Sequence, residues 1–260
     1  MNRITKTFAD LKRAGRKGLV GYLTAGDPDE TASERLVMEA VQSGLDVLEL
    51  GVPFSDPTAD GPVIQAASLR ALKAGMTVRK VLGMVARIRA QSQVPIVLFG
   101  YANPFLAYGY DRICADAAAA GADGMLIVDL PFEESDELRV HMRGHGLQFI
   151  TLIAPTTPAD RAARVLRDAD GFVYYIMVRG VTGARAALAV DLAQHVAALR
   201  SVTALPIAVG FGVGSGAQAR LAAADADAVV VGSALVKAAE EGRLKPLVVE
   251  ISAALHNPAQ

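Results

Sequence analysis

Short apolar runs recur along the chain and alternate with stretches that have the spacing of helices. Eight such runs are almost uniformly apolar, which is typical of parallel strands buried on both faces. They cover residues 19–24, 46–51, 95–100, 124–129, 148–154, 171–177, 206–212 and 228–232. The segment ETASERLVMEAVQSG shows the intervening pattern, because Leu36, Val37, Ala40 and Val41 have helical spacing and Gly44 follows as a terminator.

This alternation predicts one α/β domain over residues 1–260, folded as a (β/α)8 barrel (TIM barrel). An open, doubly wound sheet is the alternative, since it uses the same units. The barrel is favoured because polar and glycine-rich residues follow the strands, where such barrels build their active sites. The charged stretch before the first run predicts an extra N-terminal helix that covers the bottom of the barrel.

Composition, charge and residue spacing argue against several classes of protein. The 260 residues are 52% hydrophobic and carry a net charge of −1, with both signs interleaved, so we expect no nucleic-acid partner. We expect no membrane association, because no apolar segment is long enough to span a bilayer and the N-terminus does not resemble a signal peptide. A single cysteine, Cys114, excludes an intramolecular disulfide and favours a cytoplasmic location. No residues have metal-ligand spacing, so we expect no metal.

The second apolar run and the loop after it hold the strongest candidates for chemistry. Glu49 interrupts an otherwise apolar strand near its end, where a carboxylate in a barrel is more often functional than structural. Burial there is expected to raise its pKa toward a value useful for proton transfer. Asp56 and Asp60 follow in a loop rich in proline and glycine. Either aspartate could instead serve as a turn former or helix cap, and Asp60 directly precedes a predicted helix.

Three glycine clusters at the ends of consecutive strands indicate a phosphate site. They are RGVTGAR (179–185), GFGVGSG (210–216) and GSALVK (232–237), the last of which begins a helix. Glycine lets backbone N–H groups approach an anion, and a helix N-terminus adds unpaired donors. A dinucleotide fingerprint is rejected, since it belongs early in the chain with an acidic residue about 20 residues later. Tyr101, Asn103 and Asp129 could be site residues or could hold loops.

These segments strongly resemble the tryptophan synthase α subunit family. LELGVPFSDPTADGP, residues 48–62, is similar to the family signature. GYLTAGDP, LFGYANPF, LIVDLPFEES, LIAPTTP, YYIMVRGVTGAR, VGFGV and VVGSALVK also match, in family order along the whole chain. The resemblance implies a lyase that cleaves indole-3-glycerol phosphate, by a retro-aldol reaction, to indole and glyceraldehyde 3-phosphate.

The resemblance also implies residue roles. Glu49 is expected to be the general acid/base that protonates indole C3 and assists deprotonation of the C3′ hydroxyl. Asp60 is expected to accept the indole N–H and stabilise the charge on the ring. Substrate-binding positions are expected at Tyr174, Thr182, Gly183, Gly212, Gly232 and Ser233, and indole-pocket positions at Tyr22, Phe99, Leu126 and Phe211. The loop 179–189 matches a mobile lid.

The family works in an α2β2 complex with a β subunit that carries pyridoxal phosphate, and the α chain itself is expected to bind no cofactor. Pro53 and Asp56 match the loop that signals to this partner. Thr58, Met177 and Arg179 depart from the family pattern in the two loops that mediate closure and communication. A stand-alone lyase that releases free indole is therefore the alternative.

Two other functions fit part of this pattern. One is another phosphate-binding barrel, such as a sugar-phosphate isomerase or indole-glycerol-phosphate synthase. The synthase needs a strand lysine, and none of the eight runs contains one. The other is a barrel kept only to activate a β subunit, against which the presence of both Glu49 and Asp60 counts.

Overall fold

A computed structural model describes residues 1–176, 185–210 and 212–256, with backbone only for residues 185–191. Its nine strands are parallel and form a single sheet in the order β5-β4-β3-β2-β1-β9-β8-β7-β6. The strands are β1 Gly18–Thr24, β2 Val47–Gly51, β3 Ile96–Gly100, β4 Gly124–Ile127, β5 Gln148–Phe149, β6 Thr151–Ile153, β7 Val173–Ile176, β8 Ile207–Gly210 and β9 Ala228–Val231. The end strands β5 and β6 are separated only by Ile150, so the sheet closes on itself as a nearly complete barrel.

Helices surround this barrel. They are α1 Arg3–Arg13, α2 Glu30–Gln42, α3 Pro62–Lys73, α4 Val78–Gln91, α5 Ala102–Tyr108, α6 Tyr110–Ala120, α7 Asp136–Gly144, α8 Ala159–Arg167, α9 Arg185–Arg200, α10 Gly216–Ala222, α11 Ser233–Glu240 and α12 Leu244–His256, with a 3₁₀ turn at Phe132–Glu134. The (β/α)8 barrel is confirmed and the open doubly wound sheet is wrong, because the two end strands of the order, β5 and β6, are consecutive in the chain and meet at Ile150, whose N–H donates to the Met125 carbonyl of β4.

Side chains alternate between two faces along each strand. On β1, Leu19 and Leu23 pack outward against the helices, whereas Val20 lies in the interior cluster of the barrel. The other interior positions follow the same alternation with period two, including Val47, Val97, Leu126, Phe172, Ala208, Ala228 and Val230. Both faces are buried, which explains why the strands are almost uniformly apolar in sequence.

The extra N-terminal helix is confirmed, and it covers the bottom of the barrel. Ile4 and Phe8 on α1 belong to the interior cluster, and the Phe8 ring lies 5.4 Å from that of Phe172. The side chain of Asn2 caps the helix by accepting the Ile4 N–H at 2.9 Å. Arg3 pairs with the buried Asp123 at 3.0 Å. The helix therefore closes one end of the barrel and leaves the other end for a site.

Aspartates at the bottom of the barrel join alternate strands. Each lies just before one strand and accepts an N–H from the preceding strand: Asp46 from Leu19, Asp123 from Ile96, Asp170 from Phe149 and Asp227 from Ile207, all at 2.6–2.9 Å. Two of these joints end their helices with glycines at positive φ, Gly44 at 110° and Gly121 at 96°. The recurrent glycine-to-aspartate joint in the sequence is thus a clamp between neighbouring strands.

The fifth apolar run differs from its prediction. Residues 148–154 are not one strand, because β5 pairs only with β4 and β6 pairs only with β7. The chain crosses from one neighbour to the other at Ile150.

Candidate active site

The open end of the barrel carries the candidate residues at its strand ends. Tyr22 on β1 is the register partner of Glu49 on β2, and Phe99 on β3 is the register partner of Leu126 on β4. All four positions belong to the set that faces the interior, as does Tyr174 on β7. The structure therefore places these five predicted residues around one pocket at the barrel interior, four of them on the adjacent strands β1–β4 and Tyr174 across from them on β7.

Glu49 is buried inside this pocket and is 1% exposed. Its Oε1 atom has no hydrogen-bond partner among the residues that the structure describes. Burial without a compensating partner disfavours the charged form, so the pKa of the Glu49 carboxyl rises from 4.5 to about 8. At neutral pH the group is mostly protonated, and it can both donate a proton and take one back.

The Tyr22 side chain forms the pocket wall next to Glu49. Its ring meets the Phe99 ring edge to face at 5.0 Å, and its hydroxyl accepts a hydrogen bond from Thr24 Oγ1 at 3.2 Å. Space for this hydroxyl exists because residue 51 is glycine: a Cβ atom there would lie 2.2 Å from it. The two contacting rings form an aromatic wall against which a flat apolar ring can pack.

Asp60 is held at the pocket by Tyr101, whose hydroxyl donates to Oδ2 of Asp60 at 3.0 Å. The same hydroxyl accepts the backbone N–H of Ala59 at 3.0 Å, so Tyr101 fixes both ends of this short segment. Burial raises the pKa of Asp60, and the hydrogen bond from Tyr101 opposes that rise. Asp60 does not cap α3: the N-cap is Gly61, without a side-chain hydrogen bond, so the capping alternative is wrong.

Tyr101 is the residue whose importance the sequence left undecided. It directly follows β3, which was the available signal, but its contact with Asp60 spans 41 positions along the chain. Asp129, a second of the three undecided residues, accepts the Ala102 N–H at 2.7 Å and thereby holds a loop.

We expect Tyr101→Phe to keep the fold and to lower activity by about tenfold, because one hydrogen bond that orients Asp60 is lost. The pKa of Asp60 should rise further, since the hydrogen bond that lowers it is gone. The acid limb of the pH profile of kcat/KM should therefore move to higher pH. Tyr108→Phe, which removes a hydroxyl bonded to Asp116 on the outer helices, is the control. An acid limb in the same place for Tyr101→Phe and wild type would contradict this positioning role.

Tyr174 lies across the pocket on β7. Its pKa is raised, first by burial and then by the negative charges of Glu49 and Asp60. Glycine is required beside it as well, because a Cβ at Gly210 would lie 2.8 Å from its hydroxyl. Tyr174 packs with Phe99 around the interior cluster that contains the buried Leu126.

Backbone donors lie at the ends of β8 and β9, and β9 is the neighbour of β1 on the side away from β2. The register pair Gly210 and Val230 places Gly212 and Gly232 at the same height on the ends of β8 and β9. Gly212 has φ +64°, a conformation that favours glycine. Gly232 caps α11, so Ser233 lies in its first turn, where N–H groups have no intrahelical partner. A Cβ at Gly232 would be 3.8 Å from Cβ of Tyr22, which places this anion-binding arrangement at the edge of the aromatic pocket.

The loop between β2 and α3 carries the predicted signalling residues. Pro53 and Pro57 are buried, whereas Asp56 and Thr58 are exposed. Asp56 accepts a hydrogen bond from the neighbouring Ser55 hydroxyl. An exposed loop with two buried prolines, beside Glu49 and Asp60, is compatible with a contact to another protein.

Several predicted positions lie outside the described residues. They are Met177, Arg179, Thr182 and Gly183, Phe211, and most of the loop 179–189. Within the described part of the chain, no group of three or more His, Cys, Asp or Glu side chains is placed to hold a metal ion. No helix there combines the length and apolar character needed to cross a membrane.

Comparison with known proteins agrees with this geometry. The family model described as "Tryptophan synthase alpha chain" matches residues 8–256. The chain is 53% identical over 249 residues to a tryptophan synthase alpha chain from Geobacter sulfurreducens, covering 94% of each, and 49% identical over 256 residues to one from Acidiphilium cryptum, covering 96% of this chain and 93% of that relative.

Solved structures agree as well. A tryptophan synthase alpha chain from Legionella pneumophila superposes with a TM-score of 0.91 at 38% identity, covering 100% of this chain and 99% of that one. A chain of the Mycobacterium tuberculosis tryptophan synthase gives 0.90 at 36% identity, covering 98% and 99%. The chain therefore belongs to the tryptophan synthase alpha chain family.

Proposed function

We propose that this chain is a lyase that cleaves indole-3-glycerol phosphate to indole and glyceraldehyde 3-phosphate, as its family membership indicates. The observation that carries this function is Glu49, a carboxyl buried without a partner at the open end of the barrel. The direct test is incubation of the purified chain with indole-3-glycerol phosphate. Release of indole and glyceraldehyde 3-phosphate in equal amounts is expected, and absence of both products under saturating substrate would remove the proposal.

Glu49 moves one proton in two steps. The protonated carboxyl donates to C3 of the indole ring, which breaks the ring's conjugation and makes C3 a leaving group. The resulting carboxylate takes the proton of the C3′ hydroxyl as the carbon–carbon bond breaks and the aldehyde forms. The bonding electrons return to the ring and the net proton count is unchanged. Its pKa of about 8 suits both directions of transfer.

Asp60 stabilises the intermediate. Protonation of C3 puts positive charge on the ring nitrogen, and a carboxylate that accepts the indole N–H lowers the energy of that charge. Tyr101 keeps Asp60 in place, and the rings of Tyr22 and Phe99 hold the indole by contact. Gly212, Gly232 and Ser233 bind the phosphate at the ends of β8 and β9, and Tyr174 lies on the neighbouring strand β7. Thr182, Gly183, Phe211 and the loop 179–189 complete the substrate site in this proposal.

We expect kcat/KM to fall as the pH rises through about 8, because the free enzyme needs Glu49 protonated for the first step. The carboxylate form of Glu49 cannot donate this proton, so the basic limb of the pH profile should report the pKa of Glu49. Measurement of initial indole release across pH 6–10 checks it. A rate that stays constant to pH 10 would mean that Glu49 is not the acid.

We propose a cytoplasmic α2β2 heterotetramer in which indole passes to a β subunit that holds pyridoxal phosphate, with this chain itself binding no cofactor or metal. Pro53 and Asp56 would contact or signal to that partner. Addition of the cognate β subunit is expected to raise the lyase rate, with catalytically dead β subunit as a binding-only control. A flat rate over the titration would favour the alternative, a stand-alone lyase that releases free indole.

A further inference from the structure

A cavity of about 260 Å³ lies at the bottom of the barrel, at the end that α1 closes and opposite the catalytic residues. Four segments line it: the second half of α1, the loop 14–17 after that helix, the chain from the end of α9 to β8, and the joint before β9. We call this cavity the basal pocket. None of the residues proposed for the lyase reaction lines it, so its chemistry is separate from that of the catalytic pocket.

The floor of the basal pocket is apolar. Phe8 and Leu11 lie one turn apart on α1, and Pro206 directly precedes β8. Phe8 and Leu11 are buried and Pro206 is half-buried, so these residues form an apolar surface at the base of a recess. A flat ring of a ligand can pack against such a floor and displace water from it.

Cationic side chains form the rim of the basal pocket. They are Lys12, Arg16, Lys17 and Arg200, and the one carboxylate among the described lining residues is Asp227, which pairs with Arg200 at 3.0 Å. The whole chain carries a net charge of −1, so this excess of positive charge is a local feature. A recess lined by one sign of charge over an apolar floor raises the local concentration of anions.

Most of these cations are held in place and still have N–H groups to donate. Lys17 Nζ donates to the Ala226 carbonyl at 2.6 Å, and Arg200 donates to the Asp225 carbonyl at 3.0 Å. Arg16 donates to Nδ1 of His256 at 2.5 Å. Each of these bonds uses part of the donors of an ammonium or guanidinium group, so an anion meets donors whose positions are already fixed and less entropy is lost on binding.

We propose that the basal pocket binds a small aromatic carboxylate, with the ring on the apolar floor and the carboxylate on the cationic rim. A guanidinium group matches the two oxygens of a carboxylate and also stacks on aromatic rings, so Arg16 and Arg200 suit both parts of such a ligand. The volume lies just below the range of roughly 300–1,000 Å³ that is usual for drug-sized ligands, which indicates one or two rings. Asp227 in the same wall repels a dianion more than a monoanion, so a carboxylate is favoured over a phosphate ester.

Crystals soaked in 4-bromobenzoate locate the ligand, because bromine gives an anomalous signal. We expect a bromine position over Phe8 and Pro206, with the carboxylate within hydrogen-bond distance of Arg16 or Arg200. Bromine in the catalytic pocket alone, or nowhere on the protein, overturns the proposal. Cleavage of indole-3-glycerol phosphate is a separate measurement on the same protein, so failure of this site and failure of the proposed lyase are distinguishable results.

Titration of 4-fluorobenzoate, followed by its fluorine NMR signal, tests the same site in solution. The double variant Lys12→Gln, Arg16→Gln should weaken binding by about tenfold or more, because bonds between a charged donor and a carboxylate are lost. The matched control is Lys73→Gln, Arg167→Gln, which removes the same two charges from exposed positions on α3 and α8 and should bind as wild type does. All four side chains are exposed, so both variants should fold. Equal weakening in the two double variants would mean general attraction by net charge and would overturn the site.

Two further probes separate the parts of the ligand. The neutral 4-fluorobenzamide should bind wild type at least about tenfold more weakly than 4-fluorobenzoate, because it has no charge to place on the cationic rim. Acetate, which has the carboxylate and no ring, should displace 4-fluorobenzoate far less effectively than unlabelled benzoate does. Equal binding of the amide would refute the role of the cations, and equal displacement by acetate would refute the role of the apolar floor.

Discussion

Glu49→Gln is expected to lower indole release by about 10³-fold or more while leaving the chain folded, since the group that carries the proton both ways is removed. Glutamine has nearly the same shape and cannot donate a proton to indole C3. Measurement of kcat with saturating indole-3-glycerol phosphate checks the expectation. Glu137→Gln, an exposed change on α7, serves as the control and should retain wild-type activity. Activity close to wild type in Glu49→Gln would remove the residue from the mechanism.

The same variant has a distinctive effect on stability. The pKa of Glu49 in the folded chain lies above its unfolded value, so its favourable contribution is complete below about pH 4.5 and is lost as pH rises through about 8. Glutamine does not ionise and suffers no such loss. Glu49→Gln should therefore become more stable relative to wild type as the pH rises from 6 to 9, in denaturant titrations. A variant that is inactive and yet more stable at high pH cannot owe its inactivity to unfolding.

Asp60→Asn is expected to lower kcat by about 30-fold or more, which corresponds to about 2 kcal/mol of transition-state stabilisation. The asparagine oxygen can still accept the Tyr101 hydroxyl, so the loop should stay in place while the negative charge near the ring nitrogen is lost. KM should change less than kcat, because the positive charge develops only after C3 is protonated. Asp160→Asn, at an exposed position on α8, is the control. An unchanged kcat in Asp60→Asn would refute the electrostatic role.

The sequence was sufficient for the fold because the fold has a strong local signature. Each strand buried on both faces is recognisable in the sequence as an apolar run. A joint such as Gly44 to Asp46 is recognisable as a glycine followed by an aspartate. In the structure that glycine has a positive φ and the aspartate accepts an N–H from the neighbouring strand. The run 148–154 was the exception. Pairing with two different neighbours is a property of the assembled wall, and apolar composition does not record it.

Some residues of the candidate site were identifiable from the sequence, and others only from the tertiary structure. Glu49 was identifiable because a lone carboxylate in an apolar strand is conspicuous, and the Gly232–Ser233 pair because it begins a helix directly after a strand. The roles of these residues stay predictions until the variants are measured. Tyr101 was not assigned, because its bond to Asp60 joins two loops that only the pairing of β2 with β3 brings together.

By itself, the sequence determined the alternation of strand and helix units, the family, and the carboxyl residues available for chemistry, because these depend on local spacing and residue type. Only the tertiary structure decided which face of each strand turns inward, since uniformly apolar strands carry no alternation from which to read it. Closure of the barrel put Glu49 inside, away from water, and so set its pKa near 8. Among the described residues it also left β4 and β6 unpaired beyond Ile150, although both strands are apolar in sequence.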